Sequence, residues 1–503
     1  MTQTMLPPSQ TQQGQPQYEL TDADRARLER IAAAWKAYEG NLEAPLKKMD
    51  REPDDNVMSN RCQPIVDRGV DFLFGEEIEI SVEEDGPQEA QDFLDKVWGR
   101  KEARIPLLQK HAMNGAIAGQ AFIRIVPGPQ KTYRLVAVDP STVFVKTAPQ
   151  DCETVLLYCI QYSTNEKQNG RPVQVFYREE IARIDPESNS TIEYEDANAE
   201  GYDADVTWQI QHWTQIGYAG MQPKTTGWTP AGEPIIWPYP FPPLFSNQNL
   251  PRPNDFWGYA DITPDLIGVN NSLNLVQSNI NRVEKIYGGP ILYAPGIGTT
   301  NIDTAPGRII QLPLPENKIE SVHIHSDVAN ALLFAENLRS DIDEQSSVPG
   351  VATGRIAAMP RGNLSGIAIE LLFMPLLKKT NKKRNLYGKL IIEVSKALLV
   401  LNGLSGDIDI TIAWESPLPH DDLVSVQAGI AKLEVGVSKA EIQRELGYDP
   451  EEQAKLKQIE DKLAIETQQA MLPPEIPGTP ALPGQPKPAP TPATAQPAQG
   501  AQA

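Results

Sequence analysis

Between Asp261 and Tyr287 the chain reads DITPDLIGVNNSLNLVQSNINRVEKIY, a run that few folds can accommodate. Thr263, Pro264 and Asp265 open a helix: a hydroxyl to cap it, a proline at the first helical position, and an acid in the first turn. Leu266, Val269, Leu273, Val276, Ile280, Val283 and Tyr287 then recur at steps of three and four, the seam along which one helix packs against another. The other faces carry Asn270, Asn271, Asn274, Gln277, Ser278, Asn279 and Asn281, where a solvated helix ordinarily carries Lys and Glu. Such a helix spans roughly 36 Å at about 1.5 Å per residue. Two readings fit the pattern. One is an internal helix of a bundle; the other is a helix that packs beside copies of itself around a water-filled passage, its amides binding water without fixing charge.

Length and composition narrow the choice. A chain of 503 residues allows about two to four domains with ordinary cores. The net charge of -21 excludes a protein that coats nucleic acid over its whole surface, so any contact with DNA is local. Cys62, Cys152 and Cys159 have neither CxxC nor zinc-finger spacing, which points to a reduced compartment without a disulfide framework. The N-terminal MTQTMLPPSQ lacks a basic start and an apolar stretch, and no run reaches the length of a membrane span, so no signal peptide and no membrane are expected.

Pattern along the rest of the chain predicts an α+β protein. Residues 1–17 and 472–503 are Gln-, Pro- and Ala-rich and are expected to remain mobile. Leu28, Ile31, Ala32 and Trp35 mark a first amphipathic helix; NRCQPIVDRGVDFLFGEEIEISVEED switches from helix to strand at Gly75. Helices follow over Pro87–Trp98 and Arg104–Ala118, then strands in AFIRIVPG, YRLVAVDP, TVFVK, TVLLYCIQYS, VQVFYREEIARI and DVTWQIQHWTQI. WPYPFPPLF carries too many prolines for regular structure. After the long helix come short extended runs in GGPILYAPG and RIIQLPLP, then a second helix with Val328, Leu332, Ala335, Leu338 and Ile342 on one side. VPGVATGRIAAMPRGNLSG reads as a loop, and a long helix over Ile367–Leu401, interrupted by a kink at Pro375, precedes the strand DIDITIAW. Helices complete the ordered chain, one of them opened by Ser438 and Glu441 as a capping box.

Catalytic chemistry finds little support in these residues. No G-x-x-x-x-G-K-[ST], HExxH or GxSxG occurs, and the loop holding Gly350, Gly354 and Gly362 lacks the Lys of a phosphate cradle, so neither an ATPase nor any cofactor is expected. His323, His325 and Asp327 reach only the minimum for a metal site, and surface histidines are the simpler reading. The charge anomaly is 371–392, with Lys378, Lys379, Lys382, Lys383, Arg384 and Lys389 and no acid. A solvated face, contact with a polyanion and a membrane surface all fit it.

NRCQPIVDRGVDFLFGEEIEI resembles the N-terminal helix of tailed-bacteriophage portal proteins, which ends in a similar aromatic-Leu-Phe-Gly before an extended run. PPLFSNQN with FWGYADITPDL, VPGVATGRIAAMPRGNLSGIAIE, and AKLEVGVSKAEIQRELGYDPEEQAKLKQIEDKLAIE are similar to further stretches of that family, in the same order. The resemblance implies a non-enzymatic ring, usually a dodecamer, at one capsid vertex, through which double-stranded DNA is packaged and ejected. It implies a wing over 18–260, stem helices over 261–287 and 327–347, a clip over 288–326, a tunnel loop over 348–366, a kinked wing helix and strand over 367–418, and a crown over 419–471. Implied partners are the terminase large subunit, a head-tail connector, and major capsid and scaffolding proteins, in the virion after synthesis in host cytoplasm. Arg355, Arg361, Asn363, Lys378 and Lys382 become candidates to face DNA, and the seven seam residues candidates to join subunits. A minor head-assembly protein and a metal-dependent hydrolase are the alternatives.

Overall fold

Thr21 starts the first helix by a reciprocal cap: its hydroxyl oxygen accepts from the Asp24 N–H, and the Asp24 carboxylate accepts from the Thr21 N–H. This helix, α1 (Asp22–Tyr38), buries Ile31, Ala34 and Ala37, while Ala32 faces solvent. The computed structural model describes residues 15–48, 54–83, 86–99, 101–168, 171–184, 206–217, 223–224, 227–288, 292–293, 320–321, 328–355, 366–418, 429–433, 435–445, 453 and 455–457. Two units make up the chain, Met1–Pro419 and His420–Ala503.

In the first unit, α2 (Cys62–Phe74) gives way at Gly75 to β1 (Ile78–Val82), where the apolar period changes from helical to alternating. Helices α3 (Gln88–Trp98) and α4 (Lys101–Ala118) follow. Next come β2 (Gln120–Pro127), β3 (Tyr133–Val138), β4 (Val143–Thr147), β5 (Val155–Gln168), β6 (Arg171–Ile184), β7 (Thr207–Gly217), β8 (Thr229–Pro230), β9 (Ile235–Trp237) and β10 (Leu244–Gln248). Strands β4-β5-β6-β7-β8 form one antiparallel sheet with β9 also on β7, and β10-β2-β3 form a second. Ile160, Ile181 and Ile210 of the larger sheet pack on Phe122 and Leu244 of the smaller. Between β9 and β10 the proline-rich stretch has no regular structure, as its missing donors require; the rings of Trp237, Tyr239, Phe241 and Phe245 neighbour one another in succession, Tyr239 stacked on Phe241 and the other two pairs tilted.

Helix α5 (Pro264–Gly288), strands β11 (Leu292–Tyr293) and β12 (Glu320–Ser321), which pair with each other, and α6 (Val328–Ser346) then form an elaborated hairpin. Helix α7 (Gly366–Asn402) leads to β13 (Ile410–Trp414), which pairs with β1. Helix α7 continues through Pro375 without a break in its helical run. Pro375 and Leu371 are both exposed there, so the carbonyl that loses its N–H partner can turn to water. At its other end α7 stops in a Schellman turn: Gly403 has φ +91°, its N–H donates to the Val400 carbonyl, and the Leu404 N–H donates to the Leu399 carbonyl.

The largest core gathers α2, α3 and α4 around α7, with Phe74, Leu94, Leu108, Ile117, Tyr387, Leu390 and Val394 almost fully buried. Gly115 permits this approach, because a Cβ there would lie 2.1 Å from the Tyr387 hydroxyl. In the second unit, the Ser438 hydroxyl accepts from the Glu441 N–H and caps α8 (Lys439–Glu445).

Candidate functional site

The α5–α6 hairpin is packed within the chain along only part of its length. Leu266 and Leu273 of α5 meet Ala335, Leu338 and Ile342 of α6, joined by Ile65 of α2, Val348 and Leu376 of α7, with Val269 and Val276 packed against them. Leu266 and Leu273 therefore lie inside the chain's own core, where a neighbouring copy cannot reach them. Farther along, Val276, Ile280 and Val283 line an open cavity of about 200 Å³ with Val328, Ala331 and Phe334. The Tyr287 side chain lies outside the described residues. Beside this cavity Leu332, Leu333 and Phe334 are more than half exposed, and Leu275 is 40% exposed.

The polar residues of α5 divide: Asn271 and Asn279 are exposed as expected, whereas Asn270, Asn274 and Ser278 are buried and hold the segment 55–61. The Asn270 Oδ1 accepts from the Arg61 N–H at 3.0 Å, the Asn274 Oδ1 from the Ser59 N–H at 2.9 Å, and the Ser278 Oγ from the Val57 N–H at 2.9 Å. Alternate residues of the segment thus meet every fourth residue of the helix. The spacing permits this: four helical residues rise about 6.0 Å, within the roughly 6.6–7.2 Å that two residues of chain can span at most. The ladder continues at Asn281, whose Nδ2 donates to the Asp55 carbonyl, and it is clamped by Arg282, which grips the Asp55 carboxylate at 2.7 and 3.0 Å. Those hydrogen bonds from Arg282 hold the Asp55 carboxyl below its ordinary range. Two asparagines and a serine at i, i+4 and i+8 were the available signal; the partner segment more than two hundred residues away was not readable from spacing.

A buried ionic node fixes where α5 begins. Asp261 accepts from Lys383, and the Lys379 Nζ lies 3.0 Å from its Oδ1 while also donating to the Ser346 carbonyl at the end of α6. The Asn249 amide and the Tyr387 hydroxyl extend the network. Burial by itself raises the Asp261 carboxyl, but Lys379 and Lys383 outweigh it and hold the group at about 2, below its ordinary 3.8. Burial pushes the Lys383 ammonium below its usual value. A depressed carboxyl contributes stability above its unfolded value, so the contribution is present above about pH 4 and is lost as pH falls toward 2. Acid titration followed by tryptophan fluorescence should show a loss of stability in that window, smaller in Asp261→Asn with Lys383→Met.

The lysine-rich stretch of α7 is thus split in function. Lys379 and Lys383 serve the node, whereas Lys378, Lys382 and Lys389 are exposed. Arg355 is ion-paired within the chain, to Asp343 and, at 3.3 Å, to Glu336 of α6. Arg361, Asn363, His323 and His325 lie outside the described residues, among which no cluster of three metal-ligating side chains occurs and no helix is long and apolar enough to cross a membrane.

Among solved structures, "Virion of native gene transfer agent (GTA) particle" aligns over 84% of this chain and 94% of that one, at 12% identity and a TM-score of 0.40. "Neck of native GTA particle computed with C12 symmetry" aligns over 77% of this chain and 90% of that one, also at 12% identity and 0.40. A search of curated proteins finds no match. Residues 18–469 match the family model described as "Phage portal protein, SPP1 Gp6-like". With residues 18–469 of its 503 inside that match, the chain belongs to the SPP1 Gp6-like family of phage portal proteins.

Proposed function

We propose that copies of this portal chain close into a dodecameric ring at one vertex of the phage capsid, with α5 and α6 standing side by side around a channel for double-stranded DNA. The observation that carries this reading is the half-sealed hairpin. One end is packed within the chain, while the other leaves Leu332, Leu333 and Phe334 in water beside an apolar cavity. Burying such side chains is worth about 1.5–3 kcal/mol each, and a ring gives every copy an identical neighbour to bury them. Residues 18–260 and 367–418 serve as the wing, 261–287 and 327–347 as the stem, 348–366 as the tunnel loop and 419–471 as the crown. The clip, 288–326, docks the terminase large subunit during packaging and a head-tail connector afterwards; major capsid and scaffolding proteins surround the wing in the virion. Lys378 and Lys382, with Arg361 and Asn363 of the tunnel loop, face the DNA path. The mostly acidic chain lets a polyanion slide without gripping it.

Negative-stain images of the purified full-length chain are expected to show rings with an axial hole, and Leu333→Asp with Phe334→Asp is expected to reduce them to species near the single-chain mass of 55.5 kDa with unchanged circular dichroism. Solid particles, or rings indifferent to both substitutions, would overturn the arrangement.

A further inference from the structure

One corner of the hairpin carries more positive charge than its own chain neutralises. Arg61, at the start of α2, faces Arg339 and Asp343 of α6 and Arg355 of the following turn across a cavity of about 20 Å³ that Pro64, Ile65, Ile342, Val348 and Thr353 also line. Arg355 pairs with Asp343 and Glu336, and Arg339 pairs with Glu336 at 3.0 Å, so two of the three guanidinium groups use both carboxylates of this corner. Arg61 has no carboxylate within ion-pair distance among the described residues, and the buried Nε atoms of Arg61 and Arg339 have no hydrogen-bond partner there. Burial first, then Arg339 and Arg355, push the Arg61 guanidinium below its ordinary value.

The imbalance is increased by helix α2, which presents its positive end here with no acid in its first turn. A half-buried cation without a partner is costly, and a planar guanidinium donates in a fork that matches tetrahedral oxyanions. The cavity has room for a small ion and not for a ring system.

We propose that Arg61, Arg339 and Arg355 form a site for one phosphate-class oxyanion, either free phosphate or a phosphodiester of DNA. The free-ion source does not depend on a ring or a channel; the phosphodiester source rests on the function proposed above. Either way the occupant neutralises the corner where α2, α6 and the turn after α6 meet.

The test uses the full-length protein and inorganic phosphate. Thermal unfolding is followed over a phosphate series at constant ionic strength, with chloride as the balancing anion, for the unaltered protein, Arg61→Met, Arg61→Lys and the control Arg68→Met. Phosphate is expected to raise the midpoint of the unaltered protein and of Arg68→Met, and its apparent affinity is expected to fall at least about tenfold in Arg61→Met, with Arg61→Lys between. Should Arg61→Met fold poorly, the Arg61→Lys titration still reads the site. No phosphate response in the unaltered protein overturns the proposal, as does an equal response in the Arg61 variants; a site already filled by a carboxylate of a second copy would give the first of these results. A short DNA duplex that lowers the apparent phosphate affinity only where Arg61 is present identifies the phosphodiester source, and a duplex without effect assigns the site to free phosphate. Images of the same preparations score ring formation separately, so failure of the ring and failure of the anion site are told apart.

Discussion

Asp261→Leu, with Lys383 left in place, is expected to destabilise the first unit by about 3–5 kcal/mol, because an ammonium buried to a few per cent exposure loses its carboxylate. The cost is that of an uncompensated charge, so Asp261→Leu combined with Lys383→Met should recover most of the loss. Urea unfolding read by tryptophan fluorescence measures both. A single substitution that costs less than about 1 kcal/mol would show that the node is solvated and that its lysines are free for other work. More than stability is at stake: through Lys379 and the Ser346 carbonyl the node ties α5, α6 and α7 at one point, so its loss should also blur the hairpin's orientation.

Removing the amide ladder should have the second-largest effect. Asn270→Ala with Asn274→Ala strips the acceptors from the Arg61 and Ser59 N–H groups, at about 1–3 kcal/mol for each donor left buried. The loss should be local. Hydrogen exchange at 57–61 is expected to rise far above that of the α2 core, and a protease should cut the segment first. Exchange there that matches the unaltered protein would mean that the Arg282 clamp and backbone packing suffice to hold it. Asn270→Ala also frees the backbone beside Arg61, so the oxyanion site should weaken with the ladder.

Much of the architecture was legible in local pattern. The change of period at Gly75, the turn at Gly403 and the caps at Thr263 and Ser438 are short-range chemistry, written within a few residues of where they act. The Thr263 hydroxyl, for instance, accepts from the Leu266 N–H at the start of α5. Side-chain assignments fared differently. A run of lysines without acids reads as one basic face, yet Lys379 and Lys383 point inward to Asp261, which lies more than a hundred positions earlier. Arg355, in a glycine-rich turn, looked free for DNA until α6 supplied two carboxylates. Leu332, grouped by spacing with the buried side of α6, is exposed because the α5–α6 contact covers only part of that side.

Periodicity, capping and breaker residues determined which stretches became helix or strand and where each ended, since these depend on torsions and near-neighbour hydrogen bonds. Tertiary structure alone decided which polar side chains are buried and against what. An asparagine stripe has the same spacing whether it faces water or another segment of the chain, and only the folded chain, by bringing 55–61 alongside α5, made burial of those side chains favourable.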